Sequence, residues 1–246
     1  MNRTVSVHRG ALRAGALCLA ACAALLSLSA TGAEANLEGT WRIAVSQDAF
    51  KPVSGEIPFT TEGRKRYQEN KRLQAQRNYD AYDIATARCA SPGLPRLMLT
   101  PDRFRVWQRS GLIVFQFEWN RLFRQIDLGL TMPRVRITED DAAVGRAVPP
   151  SMGRWEGDTL LVNTEGFGIN TLVDNLVPHG YDMKLTERLH LKDADTLEDR
   201  VTIEDPEYFT RPWETVVTYK RQPDAAFAED VCLDRLWSGQ PTLPHK

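Results

Sequence analysis

Residues Lys184–Glu204 read KLTERLHLKDADTLEDRVTIE and carry the clearest structural signal in the chain. Two runs, 184–192 and 196–204, alternate apolar and polar side chains, and Asp193-Ala194-Asp195 separates them. Alternation with a period of two is typical of a strand with one buried face, and a short polar break is typical of a hairpin turn. The segment therefore predicts an antiparallel β-hairpin.

Each run of this hairpin places one carboxylate among apolar side chains. Glu187 shares its face with three leucines, and Asp199 shares its face with three aliphatic residues. If the turn pairs Leu191 with Leu197, the two carboxylates fall on neighbouring rungs of the same face. A buried carboxylate costs several kcal/mol unless it is paired, so each needs a partner or a ligand. Two interpretations stay open: a core ion pair with an arginine, or a shared acid–base site in which one pKa is raised. The candidate arginines are Arg124 and Arg154.

Further strand signals occupy much of the chain. They lie at residues 37–46, 103–108, 112–119, 122–128, 133–138, 153–155, 159–164 and 215–221. The charged run Thr60–Arg77 predicts a surface helix whose start is capped by Thr60 or Thr61. A series of short strands removes its unpaired edges by closing into a barrel or stacking as a sandwich. We predict a mostly β fold, an antiparallel lipocalin-like barrel with a surface helix, with a β-sandwich as the alternative.

Residues 1–35 have the composition of a secretory signal peptide. Three arginines accompany an apolar run at 14–30, and Ala33-Glu34-Ala35 supplies the small residues of a cleavage site. The apolar run is short for a membrane span, which needs about 20 residues, so no stable span is expected. We predict cleavage after Ala35, a single β-rich domain over 36–246, and a periplasmic or secreted location. A lipobox-like sequence ending at Cys22 gives the alternative, a lipid anchor on that cysteine.

The composition excludes several classes of function. The 246 residues have a net charge of -1 and are 42% hydrophobic, which is typical of a globular protein and gives no electrostatic basis for binding nucleic acid. The sequence contains no nucleotide-binding glycine motif, zinc-protease motif or serine-hydrolase motif, so we expect neither a cofactor nor a metal. Cys89 and Cys232 remain after the leader, and in an oxidising compartment they predict a disulfide.

The segment Gly166–Tyr181 predicts a long loop between two strong strands. Loops of this length in a compact domain are functional more often than short ones. His179 is a candidate general base near neutral pH, and Asp174 and Tyr181 lie near it in sequence. The alternative is a histidine whose hydrogen bonds are satisfied within the loop.

A group of aromatic residues shares one face of a predicted strand. Phe115, Phe117 and Trp119 alternate with polar residues, so their side chains point the same way. They either line an apolar cavity or fill the core.

Several motifs resemble those of a family of exported, largely uncharacterised bacterial proteins. The matching segments are Thr60–Tyr67 (TTEGRKRY), Arg88–Arg96 (RCASPGLPR), Gly153–Val162 (GRWEGDTLLV), Asp205-Pro206 and Pro212-Trp213. The family patterns are R-C-x-P-P-G-x-P-R and G-R-W-E-G-D-T-L-V-V, from which this chain departs at Ser91 and Leu161. The resemblance covers roughly residues 58–234 and implies secretion and a compact β-rich fold.

The same family has a polar motif that this chain retains only in part. Pro178-His179 and Glu187-Arg188 match it, whereas Gly180, Tyr181 and Lys184 stand where the family has Ser, Glu and His. The resemblance therefore implies no metal site in this chain.

These observations predict an exported protein that binds a small, largely apolar molecule in a barrel cavity. The candidate ligand-binding residues are Arg124, Phe115, Phe117, Trp119 and Asp199, with Glu187 and His179 orienting the polar end of the ligand. The alternative is a cofactor-independent lyase or isomerase in which His179 is the base and Glu187 the acid. Its supporting candidates are Asp174, Tyr181 and Arg124.

Overall fold

The fold is a closed β-barrel. The computed structural model describes residues 1–2, 33–129 and 147–240. Within this part of the chain nine strands pair in sequence order, and β1 also pairs with β9. The strands are β1 (Gly39–Ile43), β2 (Phe104–Arg109), β3 (Leu112–Phe117), β4 (Phe123–Leu128), β5 (Ser151–Glu156), β6 (Thr159–Glu165), β7 (Lys184–Asp193), β8 (Thr196–Glu204) and β9 (Trp213–Arg221). The predicted barrel is confirmed, and the sandwich is excluded because the β1–β9 pairing leaves no open edge.

One strand pair departs from the predicted antiparallel series. β4 and β5 are parallel, with Ile126 opposite Ser151 and Leu128 opposite Gly153, whereas the other strand pairs of the described barrel are antiparallel. A parallel pair needs a crossover connection of about a dozen residues or more, and the chain between these strands is long enough to supply it. The strand predicted at Pro133–Thr138 falls in this connection, outside the described residues.

The β7–β8 hairpin has the register expected from its alternation. Leu191 is paired with Leu197, Leu189 with Asp199, and Glu187 with Val201. Glu187 and Asp199 are therefore diagonal neighbours on one face, and that face points into the barrel, where both residues are fully buried.

The predicted surface helix is α1 (Thr61–Ala75), and Thr60 caps it by accepting a hydrogen bond from the Gly63 amide at 3.0 Å. Gly63 allows the helix to approach the barrel end, since a Cβ atom at this position would lie 2.2 Å from the Tyr208 carbonyl oxygen. Residues 83–102 contain α2 (Ile84–Arg88) and a 3-10 turn at Arg96–Leu99. A 3-10 turn at Tyr79–Ala81 follows α1, and α3 (Cys232–Trp237) lies near the C-terminus.

The aromatic residues of β3 and its extension belong to the core. Phe115, Phe117 and Trp119 are buried, and the Phe104 ring lies 5.5 Å from Phe115 and 5.6 Å from Phe117 between ring centroids. The cleft described below is lined by other residues. Of the two interpretations of these aromatics, the structure therefore supports core packing.

The predicted disulfide is confirmed. Cys89 and Cys232 are bonded, with their Cα atoms 5.7 Å apart and 143 positions between them in sequence. The bond joins the end of α2 to the first residue of α3. Among the described residues, no helix has both the length and the apolar character needed to cross a bilayer.

Candidate functional site: a cleft between α1 and the 166–181 loop

The barrel interior contains a buried ion pair. Arg124 points inward from β4 and binds both carboxylate oxygens of Glu187, one of them at 2.8 Å from Nη1. Nη2 also donates to the hydroxyl of Ser151 at 3.4 Å and approaches that of Thr164 at 3.5 Å. Burial alone would lower the pKa of Arg124, but the charge and hydrogen bonds of Glu187 outweigh it and raise that pKa. Glu187 therefore follows the ion-pair interpretation with Arg124, while Arg154 lies at the surface with Glu156.

Asp199 is the second carboxylate of this cluster and differs from Glu187 in its hydrogen bonding. Both of its carboxylate oxygens are buried without a hydrogen-bond donor in the described structure. Burial and the adjacent charge of Glu187 raise the pKa of Asp199 well above its ordinary value. A protonated Asp199 can donate a hydrogen bond to Glu187, which two carboxylates cannot form. The raised pKa favours the protonated form of Asp199 beside the carboxylate that binds Arg124.

Asp174 shapes the 166–181 loop. Its Oδ1 accepts hydrogen bonds from the amides of Leu176 and Val177, both at 2.9 Å, and its Oδ2 accepts one from the Phe50 amide at 3.1 Å. Burial raises the pKa of Asp174, and these three backbone bonds oppose the increase. With its oxygens bonded to backbone amides, Asp174 positions the loop.

His179 is buried at the end of this loop. Its Nδ1 lies 2.8 Å from the Gly180 carbonyl oxygen, and its Nε2 lies 2.8 Å from the Thr171 hydroxyl. Burial lowers the pKa of His179, an effect that the Gly180 contact and the charge of Asp205 oppose. The ring is therefore neutral at neutral pH. Its Nδ1 can only donate to the Gly180 carbonyl, whereas the Thr171 hydroxyl has one proton to share between His179 Nε2 and the Gly168 carbonyl, 2.9 Å away.

A cleft of about 530 Å³ opens beside His179. Its walls are α1, residues 80–84, residues 169–172 and 178–181 of the loop, and the turn that holds Glu207 and Tyr208. The side chains that face it are mostly polar, and they include Arg66, Asn70, Asp80, Tyr82, Tyr181 and Glu207. The middle of α1, the loop and the turn thus converge on one concave surface.

The floor of the cleft depends on Gly180. Its amide donates to Asp205 Oδ2 at 2.6 Å, and a Cβ atom at this position would lie 2.6 Å from Glu207 Oε2. Glycine therefore allows the Glu207 carboxylate to lie against the loop next to His179. The turn is held from the other side by Thr60, whose hydroxyl donates to the Glu207 carbonyl at 2.7 Å.

The residues predicted to form one site lie in separate parts of the structure. His179 and Tyr181 line the cleft, whereas Arg124, Glu187 and Asp199 lie in the barrel. Within the described structure His179 bonds to Thr171 and Gly180, and Glu187 bonds to Arg124, so the predicted base and acid are not in contact.

Sequence reasoning missed other residues of the cleft. Arg66 and Asn70 come from α1, and Glu207 and Tyr208 come from the turn after β8. Asn70 is buried and donates from Nδ2 to the Leu176 carbonyl at 2.8 Å, across 106 positions. A buried asparagine on a polar helix is a signal of such a contact, but its partner was not identifiable from the sequence. No group of three or more metal-ligating side chains occurs in the part of the chain that the structure describes.

Comparison with known proteins does not identify a function. No protein-family model and no curated protein matches the sequence. Among solved structures, the chain is similar to a crystal structure of a mutant of the fluorescent protein UnaG, with 15% identity and a TM-score of 0.34. The match covers 76% of this chain and 97% of that chain. At this level of similarity it does not bear on what the cleft binds.

Proposed function

We propose that this protein binds a small molecule, and that the ligand binds in the cleft beside His179. The observation that supports this is the cleft itself, about 530 Å³ in volume and lined by polar side chains from four separate segments. Sites for small molecules are concave, have volumes of roughly 300–1,000 Å³ and contain a few convergent polar groups. The cleft is concave and of this size, and its lining is more polar than that of most such sites.

The proposed position differs from the barrel cavity expected from the sequence. Side chains that were candidates for lining that cavity are buried in the core, and Arg124 is bound to Glu187. An apolar ligand placed against this ion pair would separate two buried charges, which costs several kcal/mol. We therefore place the ligand outside the barrel.

We also propose that the protein acts outside the cytoplasm. The leader-like residues 1–35 and the disulfide between Cys89 and Cys232 support a periplasmic or secreted location. A lipid anchor on Cys22 is the alternative form of the same proposal. The lyase or isomerase alternative has less support, because both ring nitrogens of His179 are already hydrogen-bonded and Glu187 is bound to Arg124.

The proposal is tested by filling the cleft. Ile169 lies on its wall and is 47% exposed, so Ile169→Trp adds bulk without removing a polar contact. Native mass spectrometry of the purified protein, incubated with a library of water-soluble metabolites, should show a retained molecule that this variant loses. Val53→Trp is the matched control, because Val53 is 54% exposed and does not line the cleft. Retention by Ile169→Trp, or the absence of any retained molecule, would contradict the proposal.

A further inference from the structure

We propose that the ligand of the cleft is an uncharged, hydroxyl-rich molecule, a saccharide of one or two rings. This inference rests on the proposed function and adds the chemical class of the ligand. Its basis is the balance of charge, hydrogen-bonding groups and aromatic rings on the cleft wall.

The charges of the wall disfavour a charged ligand. Three ionised side chains line the cleft, namely Arg66, Asp80 and Glu207. Asp80 is bound to Arg88 at 2.7 Å, whereas Arg66 and Glu207 form no salt bridge within the described residues. Because Asp80 is bound to Arg88, the remaining charges are one guanidinium, Arg66, and one carboxylate, Glu207, so the wall has no excess charge that would select an anion or a cation. His179 adds no charge, because burial lowers its pKa and keeps the ring neutral.

The hydrogen-bonding groups of the wall favour hydroxyl groups on the ligand. Arg66 can only donate, and the Glu207 carboxylate can only accept. A hydroxyl group both donates and accepts, so a molecule with several hydroxyls can serve both side chains at once. An apolar ligand would remove water from these groups without replacing its hydrogen bonds, at a cost of roughly 1–3 kcal/mol for each group.

Three tyrosines complete the wall. Tyr82, Tyr181 and Tyr208 all line the cleft, and a tyrosine offers an apolar ring face together with a hydroxyl group. Burial and the charge of Asp83 raise the pKa of Tyr82 to about 12, and burial and the charge of Glu207 raise the pKa of Tyr208 to about 12. Both phenols therefore stay neutral, and the Tyr208 hydroxyl is hydrogen-bonded to the Glu207 carboxylate. A sugar ring matches such a surface, because it has C–H faces and a rim of hydroxyl groups.

The test uses the full chain, labelled with nitrogen-15, and a panel of neutral sugars that includes glucose, maltose, lactose and trehalose. At least one sugar should shift the backbone amide signals of Gly180 and Tyr181 in a saturable manner. Glu207→Gln and Arg66→Ala should each weaken the apparent affinity about tenfold, the effect of losing one hydrogen bond to a charged group. Glu204→Gln and Lys65→Ala are matched controls outside the cleft and should leave the affinity unchanged.

Two other probes separate the failure of this inference from the failure of the proposed function. Diglycine tests a zwitterion that would bridge Arg66 and Glu207, and benzoate tests an aromatic anion. If either shifts the same amides and no sugar does, the saccharide assignment is wrong and binding in the cleft stands. If no probe shifts these signals and no metabolite is retained by the unmodified protein, both proposals are overturned. Equal weakening by the cleft variants and their controls also overturns the saccharide assignment.

Discussion

At the scale of single residues, two carboxylates that look equivalent in the sequence have different interactions inside the barrel. Glu187 and Asp199 both alternate with aliphatic residues on their strands. Arg124 binds both oxygens of Glu187 and none of Asp199. One acid is therefore held as the counterion of a buried arginine, whereas burial and the neighbouring charge raise the pKa of the other.

This difference predicts opposite effects of neutral substitutions. Asp199→Asn keeps a donor toward Glu187 and removes a group that burial prevents from ionising. Because the folded-state pKa of Asp199 is raised, its contribution to stability is complete below the unfolded value of about 3.9 and is lost as the pH rises through the folded value. The unmodified protein should therefore lose stability as the pH rises from 5 to 8, and the stability of Asp199→Asn relative to it should increase over the same range.

Urea denaturation at pH 5 and at pH 8, monitored by tryptophan fluorescence, measures this difference in stability. Asp224→Asn is the control, since Asp224 is exposed and its substitution should leave the pH dependence unchanged. Glu187→Gln leaves Arg124 without its bound carboxylate and should destabilise the protein by about 3–5 kcal/mol. A stability difference for Asp199→Asn that does not change with pH would show that Asp199 is ionised in the folded protein.

At the scale of elements, α1 is joined to the barrel end through its first turn. The helix is polar, with only Gly63, Asn70 and Leu73 buried, and its Tyr67 ring stacks on Phe59 with the ring centroids 5.1 Å apart. Thr60 accepts from the Gly63 amide and donates to the Glu207 carbonyl. The residue that starts the helix thus also joins it to the floor of the cleft.

Removing this cap should loosen the helix. Thr60→Ala is expected to lower the free energy of unfolding by about 1 kcal/mol and to speed hydrogen exchange at the Gly63 amide, which loses its acceptor. Thr61→Ala, one residue later and exposed, is the matched control and should be close to neutral. Similar effects of the two substitutions in denaturation and exchange measurements would argue against the cap.

The elements also show what local sequence patterns specify. The β7–β8 hairpin and its register were predictable because the alternation of Leu185, Glu187, Leu189 and Leu191 fixes one buried face. The parallel pairing of β4 and β5 was not, since a strand carries the same alternation in either direction. The cleft was not predictable as a site because it joins α1 to a loop more than a hundred residues away, through contacts such as Asn70 with Leu176.

The same limit explains the division of the predicted site. Strand alternation showed that Glu187 faces inward, and loop length drew attention to His179. Neither pattern specifies the distance between the two side chains. The turn at Asp205–Tyr208, which the sequence marks only by Asp-Pro, instead supplies the carboxylate next to His179.

At the scale of the whole molecule, the disulfide closes a loop of 143 positions between α2 and α3. Removing it should lower the free energy of unfolding by about 2–5 kcal/mol, because the unfolded chain regains conformational entropy. Denaturation of the oxidised protein, with and without a reductant, measures the effect. The double variant Cys89→Ser/Cys232→Ser should have the same free energy of unfolding as the reduced protein, and the reductant should not change it. Equal stability of all forms would mean that the bond does not constrain the unfolded chain.

The seam of the barrel joins its first strand to its last, with Trp41 opposite Arg221. A ribosome makes β1 early and β9 late, so β1 exists without one of its neighbours while nearly all of the barrel is synthesised. During that time the sheet is an open ribbon, and its two bare edges are able to associate with other chains. A truncated chain that ends before Trp213 lacks β9 and cannot close the barrel. We therefore expect it to aggregate or be degraded instead of accumulating as a partly active protein.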